Sequence, residues 1–424
     1  MKRVGGGLCP GKDDALARAC TAVAHDGFDF RTAVIRFCPG LADDGQITLS
    51  TPVRGTVEPV QGLLLDGEPD KEKDKEKTVR PNQITPGHLM AAEIAEQPQV
   101  WRRLLDEGRE PISALAARIA AAAPRFVLFV ARGTSDHAAL YAKYLVEITH
   151  GLPAGLVSPS TMTVYGAQPD LRDVLYIAVS QSGGSPDLVR SVEVARDRGA
   201  LTVAVTNNAA SDLARAAQVH IDVLAGAERS VAATKSYTAE LLALQLLLGH
   251  DANGVDALPD LGEQVLGSGD RVREVAQRYR FAQRLVTTAR GYSYPTAREA
   301  ALKLMETSYL SAQAFSGADL LHGPLATVDP QVPVLAVVPE GAGGQAMAPV
   351  LARLAERNAD VFGVGAATAL SGLAGGITLP SGVSGELSPM LEILPLQQLA
   401  LHLALARGDD PDQPRGLRKV TETL

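Results

Sequence analysis

The sequence has 424 residues, of which 46% are hydrophobic and 21% charged, and its formal net charge at pH 7 is −8. This length allows two or three domains with full cores, and the composition is that of a soluble globular protein. The acidic balance excludes a general affinity for nucleic acid, and no apolar run reaches the ~20 residues of a membrane helix. We therefore expect a cytoplasmic protein that binds neither nucleic acid nor membrane.

The first 89 residues differ in character from the rest of the chain. All of its cysteines lie there, namely Cys9, Cys20 and Cys38. Their spacings fit no zinc pattern, and an odd number argues against a disulfide framework. Residues 70–77 form a charge run without net charge between two prolines, which is typical of a solvated linker. We predict a poorly structured extension over 1–89, with Met90 as an alternative translation start.

After Met90 the pattern changes to alternating helices and strands. Apolar residues between 94 and 105 predict an amphipathic helix or helix pair, and an Ala-rich helix follows over 111–123. Six apolar runs then predict strands, namely 126–130, 175–179, 201–205, 285–288, 334–338 and 359–364. Continuous apolar strands that alternate with helices indicate a parallel sheet covered on both faces.

The same α/β lobe occurs twice along the chain. Ala131-Arg132-Gly133 follows the first of these strands, and Ala289-Arg290-Gly291 follows the fourth, at an offset of 158 residues. The runs 177–179 and 335–337 have the same offset, which is hard to obtain by chance. We predict the following order: a first lobe over 90–250, a polar inter-lobe linker over 251–280, a second lobe over 281–410 and a polar tail over 411–424.

Two loops of the first lobe have the residues of an anion site. Arg132-Gly133-Thr134-Ser135 follows one strand, and Ser180-Gln181-Ser182-Gly183-Gly184-Ser185 follows another, just before a helix. Ligands of parallel sheets bind at such strand ends, and helix N-termini favour anions. Without a P-loop lysine or a GxGxxG motif, a small phosphate monoester fits better than a nucleotide. Turn formation explains either loop alone, but two in one lobe favour phosphate binding, and the second lobe has no such loop.

In the second lobe the candidate residues lie on a helix. Glu299, Lys303 and Glu306 are spaced to lie on one helix face. A carboxylate beside a lysine can act as a general base, although a solvated salt-bridged face is the commoner cause of this spacing. His322, in a turn bounded by Gly and Pro, could shuttle a proton. By pattern alone, His322 and Lys419 are more typical of surface side chains.

In this order the motifs resemble those of the sugar isomerase (SIS) domain family, in particular the isomerase half of glucosamine-6-phosphate synthase. The matching segments are 132–135, 180–183 and 230–235 in the first lobe, 299–306 and 322–326 in the second, and 414–421 in the tail. The resemblance extends from about Met90 to the end. It implies an α/β fold of two tandem SIS lobes, each a parallel sheet with helices on both faces.

The resemblance also implies a role for each candidate residue. Glu306 would move a proton between C1 and C2 of a sugar phosphate, and Lys303 would stabilise the enediol charge. His322 would assist ring opening in a neighbour's site, which implies a homodimer, and Lys419 would contact the open-chain sugar and form a Schiff base. Substrate would be held by Gly133, Thr134, Ser135, Ser180, Gln181, Ser182, Ser185, Val231 and Glu299. No metal and no organic cofactor is required.

The chain departs from the synthase pattern in two respects. The synthase begins with a glutamine-hydrolysing domain whose nucleophile is an N-terminal cysteine. In this sequence residue 2 is Lys2, and the segment before the first lobe is too short for that domain. Without this ammonia supply we expect the degradative direction, as in the SIS-type glucosamine- and galactosamine-6-phosphate deaminases. The second departure is Arg132, where the synthase has a small residue; we expect it to adjust phosphate or hydroxyl contacts.

Three alternatives remain open at this point. An ammonia-dependent synthase and a fructosamine-phosphate deglycase would use the same lobes with different pocket residues. A non-catalytic sugar-phosphate sensor, as in SIS-containing transcription regulators, would need a helix-turn-helix segment, and residues 1–89 contain no pair of amphipathic helices. A sensor would also have no use for the Glu306, His322 and Lys419 set.

Overall fold

The computed structural model describes residues 85–250 and 254–419. Of the predicted extension over 1–89, residues 1–84, with the charge run and the three cysteines, lie outside the described residues, whereas a helix already begins at His88. From residue 85 onward the chain forms two α/β lobes, which confirms the predicted fold class.

The first lobe contains a five-stranded parallel sheet of order β2-β1-β3-β4-β5. Its central strand β3 is buried beyond its first residue because helices cover both faces. The strands are β1 Phe126–Val130, β2 Ala154–Leu156, β3 Val174–Ser180, β4 Leu201–Thr206 and β5 Val219–Asp222. The helices are α1 His88–Arg103, α2 Arg109–Ala122, α3 Gly133–Leu145, α4 Ser160–Thr163, α5 Pro186–Asp197, α6 Asp212–Ala216 and α7 Lys235–Leu248. Short π-helical turns, Leu104–Gly108 and Val146–His150, follow α1 and α3.

The second lobe contains another five-stranded parallel sheet, of order β10-β9-β8-β6-β7. Its strands are β6 Arg284–Ala289, β7 Ser311–Ser316, β8 Val334–Val338, β9 Val361–Gly365 and β10 Gly375–Thr378. The helices from residue 254 onward are α8 Leu258–Leu266, α9 Gly269–Tyr279, α10 Tyr294–Ser308, α11 Gly317–Leu321, α12 Ala342–Gln345, α13 Ala348–Ala355, α14 Ala367–Leu370 and α15 Ser388–Arg407. No helix of the described ranges is long and apolar enough to cross a membrane.

The second sheet repeats the register of the first. Phe129 of β1 lies opposite Ile177 of β3. Thr287 of β6 lies opposite Leu335 of β8, so both residues follow their counterparts by the same 158 positions. The edge strands β2 and β7 keep this offset where they pair with Phe129 and Thr287. The duplication predicted from two motifs therefore extends to strands whose sequences did not reveal it.

The two lobes share one hydrophobic cluster. Helix α3 packs against α7 of its own lobe and against α10 of the second, while α10 also packs against α15. The cluster includes Phe129, Tyr141, Leu244, Leu304 and Leu394, each almost fully buried. This packing brings α10 of the second lobe next to the loop that follows β1 of the first.

The segment at 251–280, which we predicted as a polar linker, contains two packed helices. Val272, Val275 and Ala276 of α9 are buried, and α9 packs along α15. Helix α8 packs against α1 and α15. The polar composition belongs to the exposed faces of two amphipathic helices, so the segment adds to the core between the lobes.

Candidate functional site

A cavity of about 340 Å³ opens where β1 and β3 end. Its wall combines loops of the first lobe, one face of α10 and the C-terminal tail. The lining residues are Arg132, Gly133, Thr134, Ser135, Ser180, Gln181, Ser182, Ser185, Val231, Ala233, Ser236, Lys303, Glu306, Leu417, Arg418 and Lys419. The structure therefore brings together predicted site residues from motifs that are far apart in the sequence.

The two Ser- and Gly-rich loops supply hydrogen-bond donors at this cavity. Gly183 has φ 64°, and a Cβ there would clash with Ser211, so the tight turn needs glycine. Ser180 Oγ accepts a hydrogen bond from the Gly183 backbone N–H at 3.2 Å. Ser185 is the N-cap residue of α5, and Gly133 opens α3. Two helix N-termini and several hydroxyls at one cavity form a suitable environment for an anion.

Arg132 adds a positive charge to the same wall. Its Nε and Nη2 donate to Asp187 Oδ2 at 2.9 and 2.6 Å. The Asp187 side chain is buried in the first turn of α5, whereas about half of the Arg132 side chain is exposed. The ion pair uses two of the five guanidinium N–H donors and fixes the cation beside the serine loop.

The candidate residues on α10 form a buried ion group. The Lys303 side chain is 1% exposed, and its Nζ lies 2.5 Å from Glu306 Oε2 and 3.4 Å from Glu299 Oε1. Nζ also donates to Thr134 Oγ1 at 3.0 Å. Burial lowers the pKa of Lys303, but the charges of Glu299 and Glu306 outweigh this effect and raise the pKa above its ordinary value. Lys303 is therefore a fixed cation at the cavity wall, and the spacing does not reflect a solvated helix face.

Glu299, predicted to bind substrate, lies behind the wall. Its side chain is fully buried, and Oε1 accepts a hydrogen bond from Thr134 Oγ1 at 3.1 Å. Oε2 lies 2.7 Å from Nδ1 of His137, a residue of α3. In this position Glu299 holds Lys303 and the loop after β1 in place and does not line the cavity.

Lys419 reaches the cavity from the tail. Its Nζ donates to Glu228 Oε2 at 2.7 Å, and its side chain is 24% exposed. The other Glu228 oxygen accepts from the backbone N–H groups of Thr234 and Ser236 at 2.9 and 3.0 Å. Burial raises the pKa of Glu228, but Lys419 and the hydrogen bonds from Ser236 outweigh it, and the pKa lies below its ordinary value. Glu228 is thus an ionised anchor for Lys419.

The tail is fixed to the body of the protein at several points. The Asp412 carboxylate accepts from the backbone N–H groups of Leu89 and Met90 at 2.9 and 2.8 Å, in the first turn of α1. Tyr309 accepts a hydrogen bond from the Arg415 backbone N–H at 2.8 Å, and the Arg415 guanidinium lies 4.0 Å above the Tyr309 ring. These contacts direct residues 417–419 into the cavity wall.

His322 does not lie in the cavity of its own chain. It is exposed in the turn after α11, where its backbone N–H donates to the Asp319 carbonyl at 3.0 Å. Among the predicted site residues, His322 and Glu299 are the two that do not line the cavity.

Several acidic residues of the site were missed by the sequence analysis. Glu228 precedes the 230–235 motif by two positions, and Asp187 looks like an ordinary acid at the start of a helix. Glu93 of α1 accepts hydrogen bonds from the backbone N–H groups of Arg229 and Ser230, and so supports the same loop. Glu240 interrupts the apolar sequence of α7, and this interruption could have indicated a buried acid at the site.

The chain matches the family model of the SIS domain over residues 122–249 and 279–373. Among curated proteins it is similar to glutamine–fructose-6-phosphate aminotransferase (isomerizing) of Thermococcus kodakarensis, at 34% identity over 78% of this chain and 57% of the relative. The corresponding protein of Gloeobacter violaceus is 36% identical over 78% of this chain and 58% of its own length. The chain thus spans less than two thirds of these relatives.

Solved structures show the same relationship. A protein of Silicibacter pomeroyi, described as a phosphosugar isomerase, aligns with TM-score 0.69 and 35% identity over 76% of this chain and 99% of its own. The C-terminal domain of glucosamine-fructose-6-phosphate aminotransferase from Francisella tularensis aligns with TM-score 0.67 and 25% identity over 81% of this chain and 100% of its own. The two segments that match the family model cover more than half of the chain, and one falls in each lobe, so the chain belongs to the SIS domain family.

Proposed function

We propose that this protein is a SIS-type isomerase that converts an amino-sugar 6-phosphate into a ketose 6-phosphate and releases ammonia. The observation that carries the proposal is the Lys303–Glu306 pair, with its 2.5 Å separation, in the same cavity as two anion-binding loops. A volume of about 340 Å³ suits a small ligand of this kind.

The loops after β1 and β3 are assigned to the phosphate group. Their hydroxyls and backbone N–H groups provide donors at two helix N-termini, and Arg132 adds a charge-assisted donor. Binding the phosphate there fixes one end of the open-chain sugar. The distal end, C1 and C2, then lies at the α10 and tail side of the cavity.

The proton transfer is assigned to Glu306. Its carboxylate takes the proton from C2 of the open-chain amino-aldose and returns it to C1, while the C1 oxygen gains a proton and the amine loses one, which gives a ketimine at C2. The buried Lys303 ammonium stabilises the negative charge that develops on the substrate oxygen between these steps. Water adds to the ketimine carbon and ammonia leaves, so that one amino-sugar phosphate and one water yield one ketose phosphate and one ammonia.

Lys419 is assigned to the imine stage. A lysine amine can exchange with a ketimine nitrogen and form a Schiff base that water then hydrolyses. The ammonium first gives a proton to the ketimine nitrogen, and the free amine then attacks the protonated imine, while Glu228 Oε2, at 2.7 Å, holds the side chain in place. Such an exchange would release ammonia before the ketose phosphate.

A second candidate function is the reverse reaction, formation of an amino-sugar phosphate from a ketose phosphate and free ammonia. It is favoured by the 34% identity to a relative named glutamine–fructose-6-phosphate aminotransferase. The same residues serve both directions because the forward and reverse reactions share one transition state. A non-catalytic sensor is disfavoured because binding alone has no need for a buried lysine between two glutamates.

The test is ammonia release from glucosamine 6-phosphate by the purified protein, with galactosamine 6-phosphate alongside. Release with formation of the ketose 6-phosphate supports the deaminase. Formation of amino-sugar phosphate from fructose 6-phosphate and ammonium with a kcat well above the kcat of ammonia release, each at saturating substrate, supports the synthase. Binding of these sugars without any turnover contradicts both, and fructosamine 6-phosphate then tests the deglycase alternative.

A further inference from the structure

The proposed mechanism makes no use of one buried acid below the cavity, Glu240. It belongs to α7, is 1% exposed, and its Oε1 lies 2.9 Å from Oγ of Ser135, which lines the cavity. Its second oxygen, Oε2, has no hydrogen-bond partner among the residues that the structure describes. A buried carboxyl with a single hydroxyl partner beside an anion site needs a physical explanation.

The second lobe contains a similar Ser–Glu pair, in which the buried glutamate accepts hydrogen bonds from three hydroxyls. Ser293, 158 positions after Ser135, donates to Glu392 Oε1 at 2.7 Å. Thr296 and Ser388 also donate to the Glu392 carboxylate, at 3.0 and 2.7 Å. Each buried glutamate follows a serine by four positions on its helix, but in the first lobe that residue, Ser236, donates to Glu228. Glu240 is left with Ser135 alone.

The protonation state of Glu240 determines whether the Ser135 hydroxyl can donate a hydrogen bond to a ligand. A serine hydroxyl has one proton and two lone pairs. If Glu240 is ionised, the Ser135 hydroxyl donates its hydrogen bond to the carboxylate and presents only lone pairs to the cavity, which repel a phosphate oxygen. If Glu240 is protonated, its O–H donates to Ser135 Oγ, and the serine proton is free to point into the cavity.

The surroundings of Glu240 favour the protonated form. Burial raises the pKa of Glu240 well above its ordinary value. The hydrogen bond from Ser135 lowers it, the charges of Glu228 and Glu299 raise it, and Lys419 lowers it. No cation among the described residues forms an ion pair with Glu240, in contrast to Glu228 and Glu299.

We propose that Glu240 is a positioning residue for the anion, whose protonated carboxyl donates to Ser135 Oγ and directs the Ser135 hydroxyl proton to the substrate phosphate. This inference rests on the proposed function only in taking the loops after β1 and β3 as the phosphate site. It predicts that phosphate binding needs a neutral hydrogen-bond donor at residue 240 and does not need a negative charge there.

The test compares Glu240→Gln with Glu240→Met. The glutamine amide can donate to Ser135 Oγ as a protonated carboxyl does, whereas methionine fills similar space without a donor. We expect Glu240→Gln to bind inorganic phosphate and glucosamine 6-phosphate like the wild type. For Glu240→Met we expect dissociation constants and KM to rise about 10-fold, as for one lost hydrogen bond to a charged group, with kcat unchanged.

A double-mutant cycle gives a second measurement. Glu240→Met in a Ser135→Ala background should have little further effect, because Glu240 acts through Ser135. Glu392→Met, the matched change in the second lobe, should leave phosphate binding unchanged even where it lowers stability. Equal weakening in Glu240→Gln and Glu240→Met, normal binding in Glu240→Met, or additive effects with Ser135→Ala would overturn the inference. Absence of phosphate and sugar-phosphate binding in the wild type would instead contradict the proposed function.

Discussion

The side-chain nitrogen of Lys303 lies 2.5 Å from Glu306 Oε2, although the two residues differ greatly in exposure. The lysine side chain is 1% exposed and the glutamate side chain 23%. The cation is therefore held by the protein, while the carboxylate at its side can be reached from the cavity. This arrangement fits a general base beside an electrostatic stabiliser.

Glu306→Gln tests this assignment. The amide cannot take up a proton, so we expect kcat to fall by about 10²–10⁴-fold, while the dissociation constant of the sugar phosphate stays close to that of the wild type. Turnover assays measure kcat, and isothermal titration measures the dissociation constant. Glu356→Gln, an exposed glutamate after α13, is the matched control. Equal loss of binding and turnover would mean that Glu306 holds the structure together.

Arg132→Ala tests the charge beside the serine loop. The change removes a guanidinium donor from the wall of the cavity, together with its ion pair to the buried Asp187 carboxylate, so we expect sugar-phosphate binding to weaken by about 1.5–3 kcal/mol. Arg290→Ala, at the corresponding position of the second lobe, should leave binding unchanged. An unaltered affinity in Arg132→Ala would show that the Arg132–Asp187 pair serves the fold alone.

His322 leads to a prediction about assembly. We expect His322→Ala and Glu306→Gln to be inactive separately and to recover activity when mixed after exchange of subunits. Random pairing of a homodimer gives about a quarter of the wild-type rate, because half of the dimers are mixed and each has one complete site. The mixing assay is read together with the molar mass in solution. No recovery in a proven dimer would assign His322 to a role outside the neighbour's site.

Glu392 predicts a pH dependence of stability. Burial raises the pKa of this carboxyl from 4.5 to about 7, even though hydroxyls of Ser388, Ser293 and Thr296 lower it. Between these values the folded protein holds a proton that the unfolded chain has released, so this contribution to stability is present below pH 4.5 and is lost as the pH rises to 7. In the wild type, the free energy of unfolding should therefore fall by up to ~3 kcal/mol over this pH range, and Glu392→Gln should abolish this decrease.

Urea unfolding of the wild type and Glu392→Gln at pH 5 and pH 8 measures that difference. The wild type should lose more stability than Glu392→Gln between the two pH values, and Glu356→Gln should follow the wild type. The same decline in all three proteins would mean that Glu392 ionises at its ordinary pKa in the fold.

The sequence allowed the core of the fold to be predicted because continuous apolar strands carry a strong signal. The runs at 126–130 and 334–338 coincide with β1 and β8, and the others differ from their strands by a few residues at the ends. The edge strands β2, β5, β7 and β10 were missed since they are short or half-exposed and lack an apolar run. The helices α8 and α9 were missed because their polar faces resemble a linker.

The parts of the candidate site that lie in loops with a sequence motif could be predicted. The parts whose position depends on which helix face is buried could not. The serines of the loop after β3 lie in the cavity as expected, and helical periodicity placed Lys303 and Glu306 on one face. Periodicity states which residues share a face, but it does not state whether that face meets solvent or another lobe. For this reason Glu299 was expected at the ligand, and Glu228 and Glu240 were not expected at all.

The hydrogen bond between the Asp412 carboxylate and the Met90 backbone joins positions 322 residues apart. This contact joins regions near the two ends of the described part of the chain. It is made by the tail that also carries Lys419. Closing so long a loop costs conformational entropy, which the packing of both lobes and α1 offsets. The position of Lys419 at the cavity wall therefore depends on backbone contacts that lie far from the cavity.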